Sequence, residues 1–194
     1  RHGLLGPWNI KKIRINSIIV ICFLMLAPQI GRAQAQSKAP QIKGKVWFNA
    51  GQYKKPGIKS CLGKVVLVFF WTSGDSSCEK AIVKLRQWYS LYQNKGLEII
   101  GVHAFEWESH SAESELFKTI NRLRIKFPVV MEEGISTRTV YEQLIWPAIC
   151  LVDRGGYIRA RYSGALIYRD IEIMLKALLE EGKSDLKLRR SLPI

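Results

Sequence analysis

Cys78 and Asp75 are the two residues of this 194-residue chain whose positions most directly suggest chemistry. They lie three residues apart in the segment Asp75-Ser76-Ser77-Cys78, between an apolar run and a stretch whose apolar spacing predicts a helix. A thiol at the start of a helix can act as a nucleophile, because the helix dipole and the free N–H groups stabilise its thiolate. The segment is therefore a candidate thiol site.

Asp75 has two possible roles. A carboxylate directly before a helix accepts hydrogen bonds from first-turn N–H groups, which predicts Asp75 as an N-cap contributing about 1 kcal/mol. The alternative is a general base that acts on the nearby thiol. A neighbouring carboxylate also raises the pKa of a thiol. Cys78 is therefore predicted either as a buried, unreactive thiol or as the nucleophile of a one-cysteine mechanism.

The elements that must position these residues form a βαβ unit. The unbroken apolar run at 65–70 predicts a strand buried on both faces. Apolar residues at spacings of three and four predict a helix over 78–94, and a second buried strand follows at 97–103. The remaining predicted elements are a strand at 46–48, a helix at 112–124, an extended piece at 127–130, a short helix at 137–144, a hairpin at 148–152 and 157–162, and a helix at 169–181.

Three sequence motifs, in this order, resemble a known family. They are the run Gly63–Trp71, the segment Gly101–His103 followed by Glu106, and Trp146-Pro147-Ala148 leading into Leu151-Val152-Asp153. Together they resemble thioredoxin-like proteins of the redoxin (alkyl-hydroperoxide-reductase/thiol-specific-antioxidant) superfamily, above all the thioredoxin-like domains of bacterial extracytoplasmic thiol–disulfide interchange proteins. The resemblance covers roughly residues 45 to 180. It implies an α/β thioredoxin fold, with a central mixed β-sheet flanked by helices and an inserted helix after the βαβ half.

The resemblance also implies an oxidoreductase of thiol–disulfide exchange that acts on protein thiols. In that family a C-x-x-C pair opens the helix; its first cysteine attacks a substrate disulfide and its second resolves the mixed disulfide. Cys78 matches the second position, whereas Asp75 stands at the first. The resemblance therefore implies a degenerate active site without two-cysteine catalysis, with at most one-cysteine chemistry at Cys78. Peroxidase chemistry is the least supported, because the peroxide-attacking cysteine would fall on Asp75.

The other cysteines of the predicted domain are not expected to complete the pair. Cys61 precedes the first buried strand and Cys78 follows it, so about 20 Å of extended chain separates them, against about 6 Å between disulfide-linked Cα atoms. Cys150 lies about 10 Å along its own strand from the Pro147 loop. No C-x-x-C or His-x-x-x-His cluster is present, so the sequence indicates neither a metal nor a cofactor.

A second hypothesis is a non-catalytic binding module. The resemblance places Trp71, Trp146 and a cis-proline at Pro147 around the helix start, where an aromatic rim could dock a protein partner. In the alternative arrangement, Trp71 and Trp146 pack on each other and close the site. His103 and Glu106 follow the second strand on the same edge, and His103 is predicted as a hydrogen-bonded loop residue rather than a catalyst.

The N-terminal residues predict export. Basic residues precede the apolar run 18–27, and Ala33-Gln34-Ala35 offers the small residues of a signal-peptidase site. We therefore predict a signal peptide at 1–35, a linker at 36–44, the thioredoxin-like domain at 45–182 and a basic tail at 183–194. This predicts a periplasmic or secreted domain. The alternative is a membrane-anchored protein, with membrane contact only if the N-terminal segment stays uncleaved.

The net charge of +14 does not indicate a nucleic-acid partner. The lysines before the first buried strand are scattered, without interleaved aromatic residues or the fold of a nucleic-acid-binding protein. A basic, hydrated surface accounts for them.

Overall fold

A computed structural model describes residues 37–53, 57–104, 111–132, 134 and 136–191, the last ten by their backbone alone. The predicted signal peptide, residues 1–35, lies outside the described residues. Within the described ranges the chain forms six strands and four α-helices. Their bounds are β1 Val46–Phe48, β2 Val65–Trp71, α1 Ser76–Tyr92, β3 Leu97–His103, α2 Ala112–Arg122, β4 Val129–Met131, α3 Ser136–Val140, β5 Ala148–Val152, β6 Ile158–Ser163 and α4 Tyr168–Ser191.

The strands form one mixed sheet in the order β1-β4-β3-β2-β5-β6. The central strands β2, β3 and β4 run parallel. β1, β5 and β6 pair antiparallel to their neighbours. The predicted βαβ unit is confirmed, since β2 and β3 pair in parallel on either side of α1 in the chain. The predicted α/β class with a central mixed sheet is also confirmed.

Both faces of the sheet are covered, which accounts for the unbroken apolar run of β2 and for the burial of all seven residues of β3, Glu98 and His103 included. Leu67, Phe69 and Trp71 point into a core cluster that includes the buried faces of α1, α2 and α4. The alternate residues of β2 point into a second cluster on the other face. Successive side chains of a strand lie on opposite faces, so β2 contributes to both clusters.

The N-terminal part of the described chain covers the second face. Ala39 and Ile42 are buried there. The N–H of Ala39 donates to the carbonyl of Gly156 at 2.8 Å, and the N–H of Ile158 donates to the carbonyl of Ser37 at 2.9 Å. Residues 37–44, predicted as a linker, are therefore in contact with the domain. The domain boundaries themselves stay predictions.

Some element ends differ from their predicted positions. α4 continues to Ser191, whereas the sequence predicted an end at Glu181, because helix-forming Leu, Lys and Arg follow Gly182 and no proline occurs before Pro193. β4 begins at Val129, after Pro128, and the short α3 ends at Val140 instead of Leu144.

Among the described residues, no helix is long and apolar enough to cross a bilayer.

The close approach of Gly44 to β4 gives a first prediction. A Cβ on Gly44 would lie 2.0 Å from Val130 Cγ2 and 2.7 Å from the carbonyl oxygen of Met131. We expect Gly44→Ala to lower the free energy of unfolding by about 2 kcal/mol, because β1 and the residues directly before it must move away from β4. A Cβ on Gly51 would meet nothing within 4 Å. Urea unfolding should therefore show Gly51→Ala close to wild type, and equal effects of the two substitutions would contradict this packing.

Candidate functional site

The candidate site is centred on the turn between β2 and α1. Gly74 adopts a positive φ of 83° in this turn, a conformation that side chains disfavour. Asp75 then sits in extended backbone at the N-cap of α1, and its Oδ1 accepts a hydrogen bond from the N–H of Cys78 at 2.8 Å. The predicted N-cap is confirmed. The carboxylate occupies the positive end of the helix dipole, where a negative charge is stabilising.

Cys78 is completely buried beneath this cap. Burial raises the pKa of its thiol to about 12, and the charge of Asp75 acts in the same direction. A hydrogen bond from the backbone of Thr72 favours the thiolate but is outweighed. At neutral pH the thiol is therefore almost entirely protonated, whereas the thiolate is the reactive form. In this geometry Cys78 behaves as a small apolar core residue.

Cys61 and Cys150 are buried on the other face of the sheet. Both belong to the second core cluster, with Val66, Val68 and Phe70, whereas Cys78 belongs to the first. These three cysteines, which are those in the described part of the chain, are free thiols. The prediction that neither Cys61 nor Cys150 pairs with Cys78 is therefore confirmed, and the intervening sheet is the physical reason.

The loop before β5 carries Trp146 and Pro147. The peptide bond between Trp146 and Pro147 is cis, and the carbonyl of Pro147 accepts a hydrogen bond from the N–H of Gly164 at 3.0 Å. Pro147 is buried and Trp146 is half-buried. The preceding Leu144 and Ile145 are 70% and 62% exposed. The loop therefore presents apolar side chains to solvent.

Trp71 takes no part in an exposed rim, contrary to the docking hypothesis. Its side chain is fully buried, stacked on Phe69 at a centroid distance of 6.3 Å and edge-on to His103 at 4.6 Å. Because side chains alternate between the two faces along β2, the Trp71 side chain points into the core, and its ring offers no surface to a partner. Of the predicted docking set, Trp146 retains a partly exposed side chain.

His103 is the last residue of β3, and its ring is hydrogen-bonded to the turn before α1. Its Nε2 accepts a hydrogen bond from the N–H of Ser73 at 3.1 Å, and the Ser73 hydroxyl lies 2.8 Å from the same nitrogen. Burial lowers the pKa of His103 to about 4, so the ring is neutral at physiological pH. This hydrogen bond agrees with the structural role predicted for His103. Glu106 lies outside the described residues.

Two further residues connect His103 to the Pro147 loop, and the sequence analysis missed both. The N–H of Glu132 donates to the carbonyl of His103 at 3.0 Å, and its Oε1 accepts from the N–H of Arg138 at 2.8 Å. The Arg138 guanidinium lies 5.0 Å from the ring centroid of Trp146. Burial raises the pKa of Glu132 and Arg138 opposes the rise. The sequence offers one signal for these residues. Glu132 directly follows β4, at the edge of the sheet where the parallel strands end.

The described part of the chain holds no cluster of three His, Cys, Asp or Glu side chains that could bind a metal ion. The site therefore consists of a capped helix start over a buried thiol, a neutral histidine and a partly exposed apolar loop.

This fold, with Cys78 at the start of α1 and a cis-proline directly before β5, is that of a thioredoxin-like domain. A solved thioredoxin-like superfamily protein superimposes with a TM-score of 0.66 at 23% identity, covering 73% of this chain and 96% of that one. Residues 35–161 match the AhpC/TSA family. The chain belongs to this family, and the resemblance found in its motifs is confirmed.

The chain is also similar to curated relatives, one of which is a thiol-disulfide oxidoreductase. It is 34% identical over 161 residues to protein DipZ of Mycobacterium bovis, which covers 81% of this chain but 23% of DipZ. It is 27% identical over 125 residues to the thiol-disulfide oxidoreductase ResA of Bacillus thuringiensis subsp. konkukian, covering 64% of this chain and 69% of ResA. The chain thus spans about a quarter of the length of DipZ.

The neutral His103 predicts a specific acid sensitivity. Its pKa is about 4 in the folded protein and near 6.5 when unfolded, so its contribution to stability is complete above pH 6.5 and is lost as the pH falls toward 4. Between these values the free energy of unfolding should fall by about 3 kcal/mol through this residue. We expect His103→Gln to remove that part of the slope in urea unfolding at several pH values. Equal slopes in the two proteins would contradict the assignment.

Proposed function

We propose that this domain binds protein segments at the loop carrying Pro147 and does not catalyse two-cysteine thiol–disulfide exchange. The observation that carries the proposal is the state of Cys78. Its thiol is buried, its pKa is raised to about 12, and a carboxylate occupies the place where the family's first cysteine would stand.

The arrangement at the helix start supports the loss of exchange chemistry. In a thiol–disulfide oxidoreductase, the free N–H groups of the first turn lower the pKa of an attacking thiol. Here the N–H of Cys78 donates to the Asp75 carboxylate instead. Among the described residues, the other cysteines, Cys61 and Cys150, lie across the sheet, so neither supplies a second sulfur that could resolve a mixed disulfide at Cys78.

The exposed loop supports a binding role. Leu144 and Ile145 present most of their apolar surface to solvent, beside the half-buried Trp146. Apolar and aromatic side chains of this kind anchor protein interfaces when a partner removes them from water. The Arg138 guanidinium lies over the Trp146 ring and pairs with the Glu132 carboxylate, which favours one position of the Trp146 side chain.

The site of action in this proposal is outside the cytoplasm. The basic residues, apolar run and Ala33-Gln34-Ala35 segment at the N-terminus have the order of a secretory signal. Retention of the segment would instead anchor the domain to a membrane. Partners are proteins in either case, engaged through exposed apolar segments rather than through thiols.

Cysteine alkylation tests the loss of chemistry. We expect iodoacetamide to leave Cys78 unlabelled between pH 7 and 9 in the folded protein and to label it fully in guanidinium chloride, as read by peptide mass spectrometry. Asp75→Asn, which keeps a capping oxygen and removes the charge, should change this little, because burial is the largest cause of the raised pKa. Labelling of Cys78 in the folded wild type would instead support one-cysteine chemistry and overturn this part of the proposal.

Binding of an unfolded protein without free thiols tests the docking surface. We expect fluorescently labelled, reduced and carboxymethylated α-lactalbumin to bind, with the affinity reduced about tenfold by Ile145→Ser, because one buried isoleucine is lost from the interface. Trp146→Ala should weaken binding similarly. Fluorescence anisotropy titration gives the dissociation constants.

Ile173→Ser is the matched control, since Ile173 lies on α4 and is 61% exposed against 62% for Ile145. It should bind like wild type. Equal losses in the Ile145 and Ile173 variants, or no loss in either, would refute a binding surface at this loop.

A further inference from the structure

We propose that the outer face of α1 and the segment after α2 form a binding site for a small anion with an apolar body. The two segments line an open groove of about 780 Å³, which we call the α1 groove. The argument below uses six of its lining residues: Val83, Arg86, Leu91, Arg124, Lys126 and Phe127. This volume lies within the range of about 300–1,000 Å³ typical of small-molecule sites.

The α1 groove is separate from the Cys78 site and from the docking surface. Cys78, Leu85 and Trp88 lie on the buried face of α1, whereas Val83 and Leu91 are 52% and 58% exposed. Val83 and Leu91 also follow Cys78 by about 8 and 20 Å along the helix axis. Occupation of the groove is therefore independent of the proposed function.

The charge of the α1 groove specifies an anion. Arg86, Arg124 and Lys126 line it, and its lining includes no aspartate or glutamate. In the described ranges of the chain, none of these three cations forms an ion pair. Three positive charges around one concavity, without an ion pair to a described residue, attract a negatively charged ligand. Carboxylate, sulfonate and phosphate ester groups share the required chemistry.

The floor of the α1 groove is apolar and held in place. Phe127 is buried and packs edge-on against Tyr89 at a centroid distance of 5.9 Å. The Tyr89 hydroxyl donates to Glu98 Oε1 at 3.2 Å. The side-chain amide of Asn49 donates to the carbonyls of Ile125 and Phe127 at 2.9 and 3.3 Å. Above this buried floor, the exposed side chains of Val83 and Leu91 supply apolar surface beside the cations, which fits a ligand that carries both an apolar body and a charge.

Arg124 occupies a position where arginine is unfavourable for the fold. It follows the C-terminus of α2 with a φ of 51°, and its N–H donates to the carbonyl of Asn121 at 3.0 Å. Glycine or asparagine is the usual residue in this left-handed position, because a side chain costs stability there. A cation is nevertheless present at this point of the groove wall, which is consistent with a role for its charge.

The experiment uses 8-anilinonaphthalene-1-sulfonate as the probe and follows backbone amides of the full chain by NMR. We expect shifts concentrated in residues 83–93 and 124–127. N-phenyl-1-naphthylamine has the same aromatic body without the sulfonate, and inorganic phosphate has the charge without the body. Both should bind about tenfold more weakly than the probe, since each lacks one of the two required interactions.

Variants separate binding from folding. Arg86→Gln combined with Lys126→Gln should weaken binding of the probe about tenfold, whereas Lys59→Gln, which removes a charge outside the groove, should not. Arg124→Gly should weaken binding while the melting temperature stays equal to wild type or rises. Shifts located elsewhere, equal affinity for the uncharged probe or for phosphate alone, or indifference to these substitutions would overturn the proposal.

Discussion

The burial of β2 on both faces is the constraint on which the rest of the structure depends. Its seven residues alternate between two core clusters, and no position can change face without exposing apolar surface or burying polar groups. The strand therefore sets where the chain turns and where α1 begins. It also separates Cys78 from Cys61 and Cys150 and directs Trp71 inward. The register of β2 thus decides on which face of the sheet Cys78 and Trp71 lie.

The electrostatics of the helix start follow from this geometry. The first turn of α1 offers N–H groups and the positive end of a dipole to whatever side chain stands at position 75. A carboxylate satisfies one of these N–H groups and brings a negative charge close to Cys78. The favourable interaction that stabilises the helix is the same one that disfavours the thiolate. Fold stability and thiol reactivity therefore oppose each other at this position, and Asp75 favours stability.

At the edge of the sheet where the parallel strands end, the residues are linked by backbone and side-chain contacts. These contacts are structural rather than catalytic. His103 fastens the turn before α1, Glu132 joins His103 to Arg138, and Arg138 lies over Trp146. The apolar loop and the α1 groove differ in character. The loop exposes isoleucine and leucine near this edge, whereas the groove combines cations with an aromatic floor on the outer side of α1. These are two chemically distinct surfaces on one domain.

The sequence by itself determined the α/β class, the βαβ unit and the cap at Asp75, because these depend on local periodicity and on side chains next to the helix start. It also separated the cysteines correctly, since the rise of a strand sets a minimum distance. Only the tertiary structure decided the burial of Trp71, the link from Glu132 to Trp146, and the meeting of Arg86 with Arg124 in one groove. These contacts join residues far apart in the chain, and their side chains acquire neighbours only when the sheet and helices pack.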